Sequence, residues 1–337
     1  MKNSSITICN ETIFPGEILS LALPLPQLFS CAPLYMPIKI IHGKEAGPCL
    51  LVTAAMHGNE LNGTEIVNRL ISTLTNAKIC GTLIAIPVLN VYGLISRSRY
   101  LPGGVDLDTC FPGTKNGTHA ERTAYIFTSE IFSKANICID LQTGFMNCSN
   151  LPQLYTNFNN ETERRLARAF NTPIILDQIQ KEGSLRQLSQ KQNIPFLLYE
   201  AGEAMRFDDH AINTGLKGIL NVMRELEMLR KKQSIKENAH QSSFAKHSIW
   251  IRASTSGISH TKLKLGQWIK KGEALCIIKD PFGTNDHITV YSPVEGIIIG
   301  KNNLPLVQEG EKIFQIAFFS EVQQVLDSLE LWDADVA

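Results

Sequence analysis

The sequence predicts an α/β fold in which a mixed, largely parallel sheet is flanked by helices and followed by a small all-β domain. Three observations predict it. From Ile41 to Arg230, short apolar runs rich in β-branched residues alternate with amphipathic stretches of helical spacing. Lys231 to His247, poor in apolar residues, interrupts the pattern. Beyond it, Ser248 to Phe319 holds short runs broken at Ser256-Gly257, Lys271-Gly272, Phe282-Gly283 and Glu295-Gly296, with hardly any helical periodicity.

Taken in order, residues 1–40 form an N-terminal extension and 41–232 the main domain. Buried strands are expected at Cys49 to Ala55, Gly81 to Leu89, Ile137 to Leu141, Thr172 to Leu176 and Pro195 to Glu200. Helices are expected at Asn62 to Leu74, Ala120 to Ser133, Thr162 to Phe170 and Asp209 to Arg230. Residues 233–247 read as a linker, 248–320 as the β domain, and 321–337 as an acidic tail with apolar residues at helical spacing, either a short docking helix or a frayed end.

The bulk composition narrows the function. A chain of 337 residues, 44% hydrophobic and 19% charged, is long enough for two domains and apolar enough for a sizeable core. Its 32 basic and 32 acidic residues cancel, so no strong overall field draws it to nucleic acid or an anionic membrane, and a small-molecule or peptide substrate fits better. The eight cysteines form no CxxC pair, which suits reduced thiols in the cytoplasm. The polar N-terminus, broken by Pro15, is no secretory signal, and no apolar stretch is long enough to span a bilayer. Nothing here excludes a homo-oligomer.

The sharpest local signal is Met56-His57-Gly58-Asn59-Glu60, where an apolar strand runs into His-x-x-Glu. Imidazole and carboxylate suit zinc, and at a strand-to-helix corner both can face the carboxyl end of the sheet. By spacing alone, a solvated loop histidine and a helix N-terminal carboxylate explain the pair better than a metal site does. Two later strands also end in polar residues, at Gln142-Thr143-Gly144 and Glu200-Ala201-Gly202-Glu203, so three strand ends can converge on one pocket.

With these residues the chain resembles, from about Gly43 to Phe319, the succinylglutamate desuccinylase and aspartoacylase family of the zinc carboxypeptidase-like superfamily. The resemblance implies a zinc-carboxypeptidase-like sheet and an amidohydrolase acting on a small N-acylated amino acid. It implies one Zn2+ per chain held by His57 and Glu60, with Glu200 as general base. Asn90 falls in the family's polar segment and is read as substrate-binding; one of Arg97 and Arg99 would stabilise an oxyanion or clamp a substrate carboxylate.

Two positions depart from the family pattern. Where the family reads Asp-Leu-His-Thr and takes the histidine as third zinc ligand, this chain has Gln142, a poorer donor for zinc. Where the family reads Asp-Leu-Asn-Arg, this chain has Asp106-Leu107-Asp108-Thr109, so Thr109 replaces a carboxylate-binding arginine and Asp108 adds negative charge. His119 and His210 are the histidines of the main domain that follow His57, and nothing in their spacing marks either as a replacement ligand. Two readings therefore stay open: a zinc deacylase, and a catalytically impaired relative that binds a ligand in the old pocket. Trp250 to Phe319 resembles the family's β extension and also biotinyl and lipoyl carrier domains, but no Met-Lys hairpin offers a lysine for modification, so packing, pocket shaping or assembly is its expected role.

Overall fold

The computed structural model describes residues 2–30, 32–177, 181–230, 242–284 and 286–319. The chain opens with an antiparallel hairpin, β1 (Ile6–Ile8) and β2 (Glu11–Ile13), and then pairs β3 (Ile18–Pro24) with β4 (Tyr35–His42). Next come β5 (Glu45–Ala54), α1 (Leu61–Leu74), β6 (Cys80–Ile86), α2 (Val91–Ser96), α3 (His119–Glu130), β7 (Ile137–Gly144) and β8 (Cys148–Thr156). α4 (Glu161–Phe170), β9 (Ile174–Asp177), α5 (Leu185–Lys191), β10 (Phe196–Glu203) and α6 (Asp209–Glu225) follow. The rest is strand: β11 (Ser243–Ala245), β12 (His247–Arg252), β13 (Gly257–His260), β14 (Trp268–Ile269), β15 (Ala274–Lys279), β16 (Ile288–Tyr291), β17 (Gly296–Asn302), β18 (Leu306–Val307) and β19 (Lys312–Phe318).

A 13-stranded mixed sheet runs in the order β12-β19-β17-β8-β10-β7-β5-β6-β4-β3, with β9 and β11 branching from β8 and β14 from β17. Its centre, β6-β5-β7-β10, is parallel. These strands are apolar on both faces, as in Leu50-Leu51-Val52, because helices cover both sides. Ile66, Leu70, Phe170 and Ile219 from α1, α4 and α6 fill one core, and Ala124, Phe127, Leu185 and Leu188 from α3 and α5 fill the other. The helix starts are set locally, by a capping box between Thr118 and Glu121 and by the side chains of Asn160, Ser184 and Asp208.

The structure changes several expectations. α6 stops at Glu225 rather than Arg230, because Glu227 turns left-handed (φ 57°) and Met228 folds back to donate to the Met223 carbonyl at 2.8 Å. The helix expected to Ser133 ends at Glu130 and passes into a 3-10 turn at Phe132–Lys134. The sequence reading missed β8 altogether, although it lies between β10 and β17. Of the expected linker, residues 233–241 lie outside the described residues, while β11 adds in parallel to β9. The acidic tail also lies outside them.

Through the pairing of Gly300 with Asn150, β17 extends the main sheet into the C-terminal strands. A second sheet, β16-β15-β13-β18, packs on that extension around Ile251, Leu275, Ile298 and Phe314. Among the described residues, no helix is long and apolar enough to cross a membrane.

Candidate active site

The chain goes from β5 to β6 on one side and comes back as β7 on the other, so the strand order reverses at β5. Open α/β sheets leave a crevice at the carboxyl ends of their strands at such a point. β5 delivers His57 there, β7 delivers Gln142, and β10 delivers Glu200, which is the register partner of Gln142. The corner after β5 is held tightly. Ala55 adopts a left-handed φ of 50°, and the Leu89 and Asn90 amides cap the Ala54 and Ala55 carbonyls at 2.9 Å. Gly58 lies so close to α2 that a Cβ would meet the Gly93 carbonyl carbon at 1.9 Å, so only glycine fits beside His57.

Four charged side chains close into a ring at this corner. His57 Nδ1 contacts Glu60 Oε1 at 2.8 Å, and His57 Nε2 contacts Asp106 Oδ1 at 3.2 Å. Arg99 bridges the same two carboxylates, reaching Glu60 Oε1 and Asp106 Oδ2 at 3.2 Å each. The second Glu60 oxygen accepts from the Thr143 amide at 3.0 Å. Burial opposes a charge on His57, but Glu60 and Asp106 outweigh it and Arg99, raising its pKa to about 10. Burial works against the Asp106 carboxylate too, yet the His57 hydrogen bond and charge, with Arg99, hold it well below the usual range.

Beside the ring, Gln142 donates through Nε2 to Asp140 Oδ2 at 2.7 Å, and Asp140 Oδ1 accepts from the Thr53 hydroxyl at 2.6 Å. This commits the amide nitrogen and leaves the Gln142 carbonyl oxygen as its available donor atom. Glu200 accepts from Asn150 Nδ2 at 3.1 Å. Its pKa is pushed up to about 7, first by burial and then by the Glu60 charge, against the pull of His57 and Arg99. Unmet polar atoms gather near it: all three Arg186 guanidinium nitrogens, Gln153 Oε1 and Asn150 Oδ1 are buried without a hydrogen-bond partner. Arg186 is only 7% exposed, a burial that lowers its pKa, and it lies in the fields of Glu163, Asp177, Tyr155 and Glu200.

Of the residues singled out by sequence, His57, Glu60, Gln142, Arg99 and Glu200 come together. Asn90 is buried; its Oδ1 caps α2 by accepting from the Gly93 amide at 2.8 Å, and its Nδ2 donates to the Arg99 carbonyl at 3.4 Å. Arg97 is exposed at the left-handed C-terminus of α2. Thr109 is exposed and donates its hydroxyl to the Asp106 carbonyl at 2.7 Å. Asp108 docks the first turn of α5 by accepting from the Leu185 amide at 3.0 Å, and burial pushes its pKa up to about 7. His119 stacks edge-on against Tyr92, 4.5 Å between ring centroids.

Among the described residues, no group of three or more His, Cys, Asp and Glu side chains stands together as a metal cluster. Sequence reasoning missed Asp106, Asn150 and Arg186. Asp106 lies in a segment read for its neighbours Asp108 and Thr109, and an arginine in a short amphipathic helix reads as a surface residue until packing buries it.

A sequence model of the succinylglutamate desuccinylase/aspartoacylase catalytic domain matches residues 46–226. The N-alpha-acetyl-L-2,4-diaminobutyric acid deacetylase of Halomonas elongata is 21% identical over 254 residues, 73% of this chain and 74% of that one. The product-bound ectoine utilization protein EutE (DoeB) from Ruegeria pomeroyi superposes with a TM-score of 0.82 at 20% identity, covering 95% of this chain and 100% of that chain. The succinylglutamate desuccinylase/aspartoacylase from Rhodobacter sphaeroides gives 0.80 at 20% identity, with 91% and 96% covered. At such identities the superpositions establish the fold, an α/β sheet with helices on both faces and antiparallel sheets at its C-terminal end.

Proposed function

The chain belongs to the succinylglutamate desuccinylase/aspartoacylase family, and on that premise we propose that it hydrolyses the amide bond of a small N-acylated amino acid or similar compound. The observation that carries this reading is the meeting of the His57–Glu60 corner, Gln142, Arg99 and Glu200 where the strand order reverses.

A zinc ion would be held by His57, Glu60 and Gln142, with displacement of the proton that the imidazole shares with Glu60. His57 Nδ1 and Glu60 Oε1 stand 2.8 Å apart, and Asp106 behind the imidazole is the kind of carboxylate that orients a ligand histidine. Gln142 would add its carbonyl oxygen, its nitrogen being held by Asp140. Held there, zinc would supply the Lewis acidity that makes water acidic near neutral pH and polarises a carbonyl.

The protein's own groups do the rest. Glu200, balanced near neutrality, takes the proton of the attacking water and hands it to the leaving nitrogen as the C–N bond breaks, giving a carboxylic acid and an amine. Arg99, fixed by Glu60 and Asp106, presents a guanidinium to the oxyanion that develops on the carbonyl. The unpaired Arg186 guanidinium and the Asn150 and Gln153 oxygens match a carboxylate and an N–H of the amino-acid half.

A second reading, a catalytically impaired relative that holds a ligand without turnover, is favoured by the engagement of Gln142 with Asp140 and the exposure of Thr109. Zinc content by elemental mass spectrometry, measured together with amine release from a panel of N-acyl amino acids, separates the two. Near one zinc per chain with chelator-sensitive hydrolysis is expected; a protein that stays metal-free and inactive after zinc is added refutes the hydrolase reading.

A further inference from the structure

The loops that leave the strands of Gln142 and Glu200 carry large apolar side chains into solvent. Phe145 and Met146 follow β7 and are 47% and 53% exposed; Met205 and Phe207 follow β10 and are 38% and 68% exposed. A patch of this kind is rarely left uncovered without a use. The loops run side by side, since Glu203 and Gly144 are register partners and the Ala204 amide donates to the Gly144 carbonyl at 3.1 Å.

They are also pinned to the reacting corner. Met205 sits in the left-handed region (φ 61°), and its amide donates to the Asn59 carbonyl, between His57 and Glu60, at 2.8 Å. The Asp208 amide donates to Asn62 at 3.1 Å, which fixes the far end of the second loop. Phe145 lies with its ring centroid 5.0 Å from the Arg99 guanidinium and 5.5 Å from Lys312 Nζ. The apolar rim therefore begins at the arginine that bridges Glu60 and Asp106.

An amide bond placed at Glu200 meets different surroundings on its two sides. On the buried side stand Arg186, Gln153 and Asn150, whose polar atoms lack hydrogen-bond partners, and the amino acid with its carboxylate is assigned to that side. The acyl half is left against Phe145, Met146, Met205 and Phe207. A succinyl carboxylate would meet cations only at the Phe145 end, from Arg99 and Lys312, whereas a hydrocarbon chain would cover all four side chains.

We propose that this rim selects an apolar acyl group, so that the preferred substrates are N-acyl amino acids whose acyl chain runs to several carbons. The inference rests on the hydrolase reading for the position of the amide, but its test does not need turnover. Binding of N-acetyl-, N-butanoyl-, N-hexanoyl- and N-octanoyl-L-alanine is measured by calorimetry on Glu200→Gln, and hydrolysis of the same series is followed in the unaltered protein.

The dissociation constant should tighten about twofold or more per added methylene, toward the roughly fourfold that full burial gives at ~0.8 kcal/mol per CH2. Phe207→Ser and Met146→Ser, at exposed positions that tolerate the change, should each flatten the series. Tightening without hydrolysis supports the rim and refutes the hydrolase reading. A flat series overturns the proposal even when every member is hydrolysed, as does a tightening that survives both substitutions or a failure to bind any member.

Discussion

Replacing Glu200 by glutamine removes the proposed proton acceptor while changing almost nothing else. The amide oxygen can still accept from Asn150 Nδ2, now 3.1 Å from the carboxylate, and the glutamine matches the glutamate in size and shape. Folding should therefore survive. General base catalysis contributes roughly 10²- to 10⁴-fold, or about 3–5 kcal/mol of barrier, and kcat should fall by that factor with KM little changed.

The pH profile gives a second readout. With its pKa raised to about 7, Glu200 is protonated and idle in acid, so kcat/KM should climb about tenfold per pH unit and level off above about 7. Fluorescamine-detected amine release across roughly pH 5 to 9 follows both quantities. The variant should lose the limb along with the activity. The stability sign agrees: a carboxyl whose folded pKa is raised stabilises the fold at low pH and loses that contribution as the pH rises through about 7, a decline the variant should not show. Retained turnover, or an acid limb near 7 that persists in Glu200→Gln, would refute the assignment of the base.

Three further outcomes are expected. Gln142→His places an imidazole beside Asp140, a ready orienting carboxylate, and should raise zinc affinity about tenfold or more in a chelator competition, whereas no gain would mean that the surroundings no longer suit a third ligand. Arg186→Met removes a buried guanidinium without hydrogen-bond partners, so calorimetry should find the ligand-free fold as stable or stabler, while affinity for an N-acyl amino acid falls about 10- to 100-fold; a drop in Tm would show that the charge is compensated in the free protein. Gly218→Ala drives a Cβ to 2.1 Å from Phe170 Cε1 where α6 packs on α4, and overpacking of about 1–3 kcal/mol should exceed the ~1 kcal/mol gain in helix propensity, so that the urea midpoint falls; an unchanged midpoint would mean that the ring yields freely.

Whatever depends on neighbours along the chain was legible in the sequence. The four parallel strands are continuous apolar runs because helices bury both their faces, and that composition survives without any knowledge of the partners. His57 and Glu60 share one turn of chain, so their meeting at 2.8 Å needed only the corner that the spacing implied. Gln142 and Glu200 were legible as polar residues at the ends of apolar strands.

Tertiary structure decided what pairing and packing decide. Pro152 hid β8, since proline is excluded from central ladders; here it falls where the register with β10 shifts, opposite the step from Glu200 to Gly202, and no ladder donor is lost. Arg97 and Arg99 are indistinguishable in composition, yet the left-handed end of α2 sends one to solvent and the other onto Glu60 and Asp106. Asp106 joins His57 across 49 residues, and Arg186 becomes a buried cation only because α5 packs against the sheet beside Glu200. Local sequence encodes periodicity and adjacency; which distant charges come to share one buried volume is set by strand order and register, and that volume is where the chemistry resides.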